Sequence, residues 1–178
     1  NLTEATLAFG RAEEPAPKLE RVPLATLVED VIENERLTAE AAAGPEGDGA
    51  LVSYACDVPD DMVVRADPEQ LHRVLSNLVR NARQAIAATD RPGEILVQGQ
   101  DTEEGWCIRV RDTGPGLPKK ARDHLFQAFH GSARKGGSGL GLAIAAEIMR
   151  GHGGRLELIE TDETGTCFAL FLPGGLGR

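Results

Sequence analysis

Two glycine clusters contain the residues of this chain that are best suited to bind a nucleotide. The first follows an acid, in the stretch DTGPGLP at residues 112–118, and the second is GSGLGL at residues 137–142. The acid, Asp112, can accept a hydrogen bond from a base amino group. The glycines let backbone approach flat or charged ligand surfaces that a side chain would block. Together the two clusters predict a nucleotide site that lacks a P-loop.

A helix over residues 67–89 is predicted as the element that positions this chemistry. Asp67 is a suitable N-cap, Pro68 suits the first helical position, and Gln70 completes a capping box. Apolar residues recur at three- and four-residue steps and define one buried face. They are Leu71, Val74, Leu75, Leu78, Val79, Ala82, Ala85 and Ile86.

The same helix has a second, polar stripe. Asn77, Asn81 and Gln84 follow Arg73 at steps of four, four and three residues. Asparagine is a poor residue for a helix interior because its amide competes for backbone groups. Stacked amide oxygens can ligate a hard cation, as magnesium bound together with phosphates requires. The stripe therefore predicts a magnesium–nucleotide contact, and the alternative interpretation is a solvated helix face.

Four motifs in this order resemble the N, first-glycine, F and second-glycine boxes of the sensor histidine kinases. They are NLVRNA at 77–82, DTGPG at 112–116, LFQAF at 125–129 and GSGLGLAI at 137–144, and the closing GTCFALFLP at 165–173 is similar to the last strand of that family. The resemblance covers residues 23–173. It implies the Bergerat ATP-binding fold, with ATP and Mg²⁺ as cofactors.

Composition agrees with one cytoplasmic domain. A chain of 178 residues can build one sizeable core. The net charge of -9 argues against nucleic acid as a partner. No run of eighteen apolar residues is present, so we expect no membrane contact. The three cysteines lack metal-site spacing, which suits a reducing compartment.

The pattern of helices and strands predicts an α+β fold: a two-layer sandwich whose mixed, mostly antiparallel sheet is covered by helices on one face. Besides residues 67–89, helices are expected at 24–43, 119–129 and 140–150. Strands are expected as a pair at 50–58 and 62–66, a hairpin at 93–101 and 105–112, and a hairpin at 155–161 and 166–172.

The resemblance also implies a domain layout. Residues 1–10 resemble the end of a dimerisation and phosphoacceptor helical hairpin, residues 11–22 a linker, residues 23–173 the catalytic ATP-binding domain and residues 174–178 a C-terminal tail. None of the four histidines, which are His72, His124, His130 and His152, sits in a segment like that of the family's phosphoacceptor, so no catalytic residue is assigned. We expect a mostly monomeric fragment of a homodimeric parent, whose partners are its own phosphoacceptor domain and a response regulator receiver domain.

Residue roles follow from the resemblance position by position. Asp112 corresponds to the acid that binds the adenine amino group, Asn81 to the magnesium ligand, and Thr166 to a threonine supporting the adenine pocket. The glycines of the second cluster should present N–H groups to the phosphates. The residues expected to contact ATP are Asn77, Asn81, Gln84, Asp112, Gly114, Gly116, Arg134, Lys135, Gly137, Ser138, Gly139, Leu140, Gly141, Leu142 and Thr166.

The chain departs from the family pattern at one cationic position. Many members carry a lysine where this chain has Gln84. Arg83, Arg134 or Lys135 can supply the charge that this lysine would place near the phosphates.

Two alternatives remain open. ATPases on the same fold place a glutamate general base one turn before the magnesium asparagine, where this chain has Asn77, an amide that cannot take a proton from water. General-base assistance is worth roughly a hundred- to ten-thousand-fold in rate, so hydrolysis should be slow. The other alternative is a degenerate phosphotransfer adaptor that does not bind ATP, which the intact Asn81 and Asp112 disfavour.

Overall fold

The computed structural model describes residues 15–43, 52–123 and 141–174. Four helices lie in these ranges: α1 (Leu24–Ala43), α2 (Pro68–Ala87), α3 (Lys119–Asp123) and α4 (Gly141–Gly151). Seven strands lie there too: β1 (Glu20–Pro23), β2 (Val52–Asp57), β3 (Val63–Ala66), β4 (Gly93–Thr102), β5 (Gly105–Asp112), β6 (Arg155–Asp162) and β7 (Gly165–Pro173).

Five of the strands form the main sheet in the order β2-β4-β5-β7-β6. The β2–β4 pair is parallel and the other three pairs are antiparallel. Helices α1, α2 and α4 pack on the sheet face that carries its buried apolar residues, among them Ile95, Ile108 and Leu170. The predicted α+β two-layer sandwich is thereby confirmed, as are both predicted hairpins.

The strands expected as a pair at 50–58 and 62–66 form, but they do not pair with each other. β2 lies parallel to β4 at one edge of the main sheet. β3 instead pairs antiparallel with β1, within a second, two-stranded sheet. The chain reverses between them at a turn closed by the Met62 N–H donating to the Pro59 carbonyl at 3.1 Å. The prediction of pairing was wrong because β1 arises from residues that were expected to belong to the linker.

Helix α2 is the central helix of the helical layer, contacting α1 and α4 on either side and β5 beneath. All eight residues of its predicted apolar face are buried. Each Val, Leu or Ile side chain among them contributes about 1.5–3 kcal/mol when it is fully removed from water. This burial fixes the rotation of α2, and with it the direction of the polar stripe.

The predicted capping box at the start of α2 forms only in part. Asp67 does cap the helix, since its Oδ1 accepts from the Gln70 N–H at 3.1 Å. The Gln70 side chain does not bond back to the Asp67 N–H, and its Nε2 donates to the carbonyl of Pro15 at 2.9 Å. The Asp67 N–H donates instead to Nε2 of His152 at 3.0 Å, so a distant histidine replaces the expected local partner.

Candidate nucleotide site

A cleft lies between α2, the end of β5, the loop that follows β5 and the start of β7. Its lining residues are Leu78, Asn81, Ala82, Ala85, Val110, Asp112, Gly116, Leu117, Thr166 and Phe168. The enclosed volume is only about 10 Å³, close to that of one water molecule. The cleft is therefore narrow in this structure.

Asp112 is the buried acid of this cleft, with 8% of its surface exposed. It is the last residue of β5 and lies opposite Thr166 in the register with β7. Its Oδ1 accepts from the Gly114 N–H at 2.8 Å, which folds the loop back onto the carboxylate. Because burying a carboxylate is costly unless it is hydrogen-bonded, this contact fixes where the acid can be placed.

Thr166 lines the cleft, and a contact between two hydroxyl groups holds its side chain. Its Oγ1 lies 2.9 Å from Oγ1 of Thr161, and Thr161 in turn accepts from the Leu117 N–H at 2.8 Å. Thr161 thus joins the loop after β5 to both strands of the closing hairpin. The sequence contained no signal for this role, because Thr161 lies 44 residues from its loop partner.

The first glycine cluster has a packing role of its own. Gly116 has φ +84°, and a Cβ placed on it would lie 2.2 Å from the carbonyl oxygen of Asp162. Only glycine tolerates both conditions. At Gly114 a Cβ would meet Oδ1 of Asp112 at 3.1 Å and Cβ of Ala85 at 3.3 Å. The cluster therefore allows the loop to pack against β6 and to approach Asp112.

The polar stripe of α2 faces the cleft and the start of α4. Asn81 lines the cleft. One turn earlier, Nδ2 of Asn77 donates to the carbonyl of Gly141 at 3.2 Å, which ties α2 to the first residue of α4. Leu142, next in α4, packs partly buried against the core. Gln84 is half-buried but is not among the residues that line the cleft.

Arg83, one candidate for the missing cationic group, pairs with an acid of α1 in this structure. Its NH2 group lies 3.4 Å from Oε1 of Glu35 on α1, and Nε of Arg80 approaches the same oxygen at 3.3 Å. Glu35 is only 3% exposed. Arg83 thus points to the α1 side of α2, across the helix from Asn81, and its contact with phosphate stays a prediction. Arg134 and Lys135, the other candidates, lie outside the described residues, as do Gly137, Ser138, Gly139 and Leu140.

The described ranges contain no group of three or more His, Cys, Asp and Glu side chains arranged to hold a metal ion. Within the same ranges, no helix has the length and apolar character needed to span a membrane.

Residues 66–175 match the model of the family described as histidine kinase-, DNA gyrase B- and HSP90-like ATPases. The chain belongs to this family. Its curated relatives include the sensor protein TorS of Escherichia coli strain K12, which is 34% identical over 128 residues, covering 70% of this chain and 14% of TorS. The sensory histidine kinase/phosphatase NtrB of Salmonella typhimurium strain LT2 is 38% identical over 116 residues, covering 60% of this chain and 32% of NtrB.

Solved structures narrow the assignment to histidine kinase catalytic domains. The nucleotide-free catalytic domain of histidine kinase ThkA has a TM-score of 0.70 at 25% identity, covering 88% of this chain and 97% of that domain. Full-length ShkA in complex with AMPPNP also scores 0.70, at 26% identity, covering 98% of this chain and 36% of ShkA. The chain is therefore the catalytic, ATP-binding part of a histidine kinase, and it spans well under half the length of the curated relatives above.

Proposed function

We propose that this catalytic domain binds Mg²⁺–ATP in the cleft and transfers the γ-phosphoryl group to a histidine on an upstream helical hairpin of the parent protein. A response regulator aspartate then receives the phosphoryl group. The observation that carries the proposal is the convergence of Asp112, Asn81 and Thr166 on one cleft from three separate elements. The resemblance of the sequence to the sensor histidine kinases predicts an ATP contact at each of the same three positions.

Adenine recognition rests on Asp112 and its loop. The Gly114 N–H occupies Oδ1 and holds the carboxylate at the edge of the cleft. A carboxylate held there can accept a hydrogen bond from the adenine amino group, which is a donor. Thr166 is positioned by Thr161 and borders the same space. Gly114 and Gly116 bring the backbone of the loop close enough to lie beside the base.

Magnesium fits the amide oxygens on α2. Asn81 lines the cleft, and Asn77 uses its Nδ2 on Gly141, which leaves its carbonyl oxygen as the remaining polar atom of that side chain. Mg²⁺ prefers oxygen ligands and is commonly bound by one or two protein groups plus substrate phosphates. The ion would offset phosphate charge during phosphoryl transfer. Asn81 is the ligand that we propose.

The start of α4 is the proposed binding site for the ATP phosphates. The first N–H groups of a helix have no intrahelical acceptor and favour anions. The α4 helix begins at Gly141, and Asn77 fixes this residue relative to the magnesium-binding face of α2. We propose that Gly137, Ser138, Gly139 and Leu140 continue this phosphate site, with Arg134 or Lys135 as the cation.

The amide at position 77 favours kinase over ATPase chemistry. An asparagine cannot accept a proton from an attacking water, and Asn77 is moreover engaged as a donor to Gly141. A histidine nucleophile attacks phosphorus through its own lone pair and needs no such base.

The proposed layout places the hairpin end at residues 1–10, the linker at 11–22, the catalytic domain at 23–173 and a tail at 174–178, in a cytoplasmic part of a homodimeric parent.

The magnesium assignment is tested by Asn81→Ala. We expect this variant to bind metal-free ATP nearly as the parent chain does, while losing the gain in affinity that Mg²⁺ produces, because one inner ligand is removed. Calorimetric titration of ATP with Mg²⁺ and with EDTA measures both quantities. Asn34→Ala, the same change at an exposed position of α1, is the matched control. An unaltered magnesium gain in Asn81→Ala would exclude Asn81 from the metal site.

A further inference from the structure

The segment just before β1 is held against the start of the nucleotide helix. The Lys18 N–H donates to Oδ2 of Asp67 at 2.9 Å. Nε2 of Gln70 donates to the Pro15 carbonyl at 2.9 Å. Two side chains of the first turn of α2 thus bind residues 15–18 by their backbone, which makes the contact independent of the side chains that this segment carries.

His152, which follows α4, completes the attachment. Its Nε2 accepts from the Asp67 N–H at 3.0 Å, so Nδ1 must carry the proton and donate to the Ile148 carbonyl, 2.9 Å away. His152 is 7% exposed and Gln70 is 9% exposed, so both are buried polar side chains, and each makes the hydrogen bonds just described. Asp67, Gln70 and His152 are called the linker clamp below.

Capping alone does not explain the linker clamp. An N-cap needs one side-chain oxygen, and Asp67 provides Oδ1 for that purpose. Its second oxygen binds Lys18. Burial raises the pKa of the Asp67 carboxyl, but the N–H groups of Lys18, Gln70 and Glu69 outweigh it and hold that pKa below its ordinary value. The acid is therefore charged and committed to the linker as much as to the helix.

The linker clamp joins α2, which lines the cleft, to the end of α4. At the start of α2 and the end of α4, Asp67 and His152 bond to each other. Near the middle of α2, Asn77 bonds to Gly141, the first residue of α4. Pro17 also lies against the end of α4, with Cδ 3.8 Å from the position of a Cβ on Gly151. Residues 15–18 are thus fixed to a helix pair that is tied at two points.

We propose that Asp67, Gln70 and His152 are positioning residues for phosphoryl transfer, which set the path of the chain between the ATP cleft and the upstream phosphoacceptor. The inference rests on the proposed function. A reacting pair must approach to about 3–3.5 Å, and a misplacement of about 1 Å can reduce the rate roughly a hundredfold. A linker held by backbone hydrogen bonds restricts the positions that the tethered domain can sample.

Three substitutions separate positioning from folding. Asp67→Asn keeps an oxygen to cap α2 but turns an amide donor toward the Lys18 N–H. Gln70→Met keeps the volume and removes the donor to Pro15. Gln98→Met is the matched control, because Gln98 also donates one side-chain hydrogen bond, to Asp57 at 3.4 Å, and alternates with buried Val97 so that it lies on the opposite face of the sheet.

The first measurement uses this chain. Hydrogen exchange of the Lys18 amide should be at least tenfold faster in Asp67→Asn than in the parent chain, with Gln98→Met unchanged. His152→Gln can place its Oε1 where Nε2 stood and should retain the slow exchange, whereas the shorter His152→Asn should not. Unchanged exchange in Asp67→Asn would overturn the linker clamp itself.

The second measurement uses the full-length parent kinase and its autophosphorylation kinetics. Asp67→Asn and Gln70→Met should lower kcat at least tenfold while KM for ATP stays within twofold, and Gln98→Met should match the parent. An unchanged kcat would overturn the positioning role, and so would equal losses in kcat and ATP affinity that accompany a lower melting temperature. A failure of the proposed function would differ from both, since the unaltered parent would then form no phosphohistidine.

Discussion

Asp112→Asn is the substitution that most sharply separates adenine recognition from folding. The side chain keeps its size and retains an oxygen that can accept from the Gly114 N–H, which lies 2.8 Å from Oδ1 of Asp112 in the parent chain. The loop after β5 should therefore stay in place. The other carboxylate oxygen becomes an amide nitrogen, which is a donor. The adenine amino group is also a donor, so two donors would face each other across the cleft.

The size of the effect follows from the charge on Asp112 and its burial. Hydrogen bonds to charged groups contribute about 1.5–3 kcal/mol. At about 1.4 kcal/mol for each factor of ten, the loss corresponds to roughly 10- to 150-fold in Kd for ATP. At 8% exposure, water can do little to replace the lost bond.

Calorimetric titration with Mg²⁺–ATP and Mg²⁺–GTP tests this reasoning. Guanine carries an acceptor where adenine carries the amino donor, so Asp112→Asn should lose affinity for ATP and lose less, or gain, for GTP. Asp101→Asn, the same change at an exposed position of β4, is the control and should leave both affinities unchanged. Equal ATP affinities in Asp112→Asn and the parent chain would refute the assignment of the adenine acceptor.

Three further predictions concern stability and reactivity. Gly116→Ala should lower the melting temperature by about 2–8 °C, because a φ of +84° costs an alanine about 1–2 kcal/mol and its Cβ would also overlap the Asp162 carbonyl. Gly114 has no such φ, so equal melting temperatures of Gly114→Ala and Gly116→Ala would contradict the argument. The stability that the Asp67 carboxylate adds should be present above its unfolded pKa near 3.9 and should be lost as pH falls through its lower folded pKa. On acidification the melting temperature should therefore fall less in Asp67→Asn than in the parent chain, and parallel curves for the two would contradict this. Exposed Cys56 should react with a thiol reagent in the folded chain, while buried Cys107 and Cys167 should react only on unfolding. Rapid reaction of all three thiols in the folded chain would be inconsistent with this burial.

The parts of the fold that were predictable are those that a local pattern specifies. The apolar spacing of α2 fixed its buried face, and the polar stripe then followed by geometry. Alternating residues in β4 and β5, separated by a short turn, specified a hairpin because a tight connection leaves only one pairing. The β2 and β3 segments also read as strands, but alternation specifies which face is buried and not which strand is the neighbour.

The parts that were missed depend on long-range contacts between residues with no common pattern. His152 meets Asp67 across 85 positions of the chain, and Glu35 meets Arg83 across 48. Each of these groups is ordinary in its local sequence. The same holds for Gln70, whose spacing from Asp67 predicted a capping box although its amide is used by Pro15. Local propensity identified the right residues there and the wrong partner.

The central claim, that the cleft binds Mg²⁺–ATP and does not hydrolyse it rapidly, is tested most directly by titrating Mg²⁺–ATP into this chain in a calorimeter. The account predicts a saturable isotherm in which the signal returns to baseline after every injection, because Asn77 cannot act as a general base for water. A steady heat that persists after each injection would show turnover and contradict the kinase assignment. The absence of any binding heat at two temperatures would contradict the nucleotide site itself.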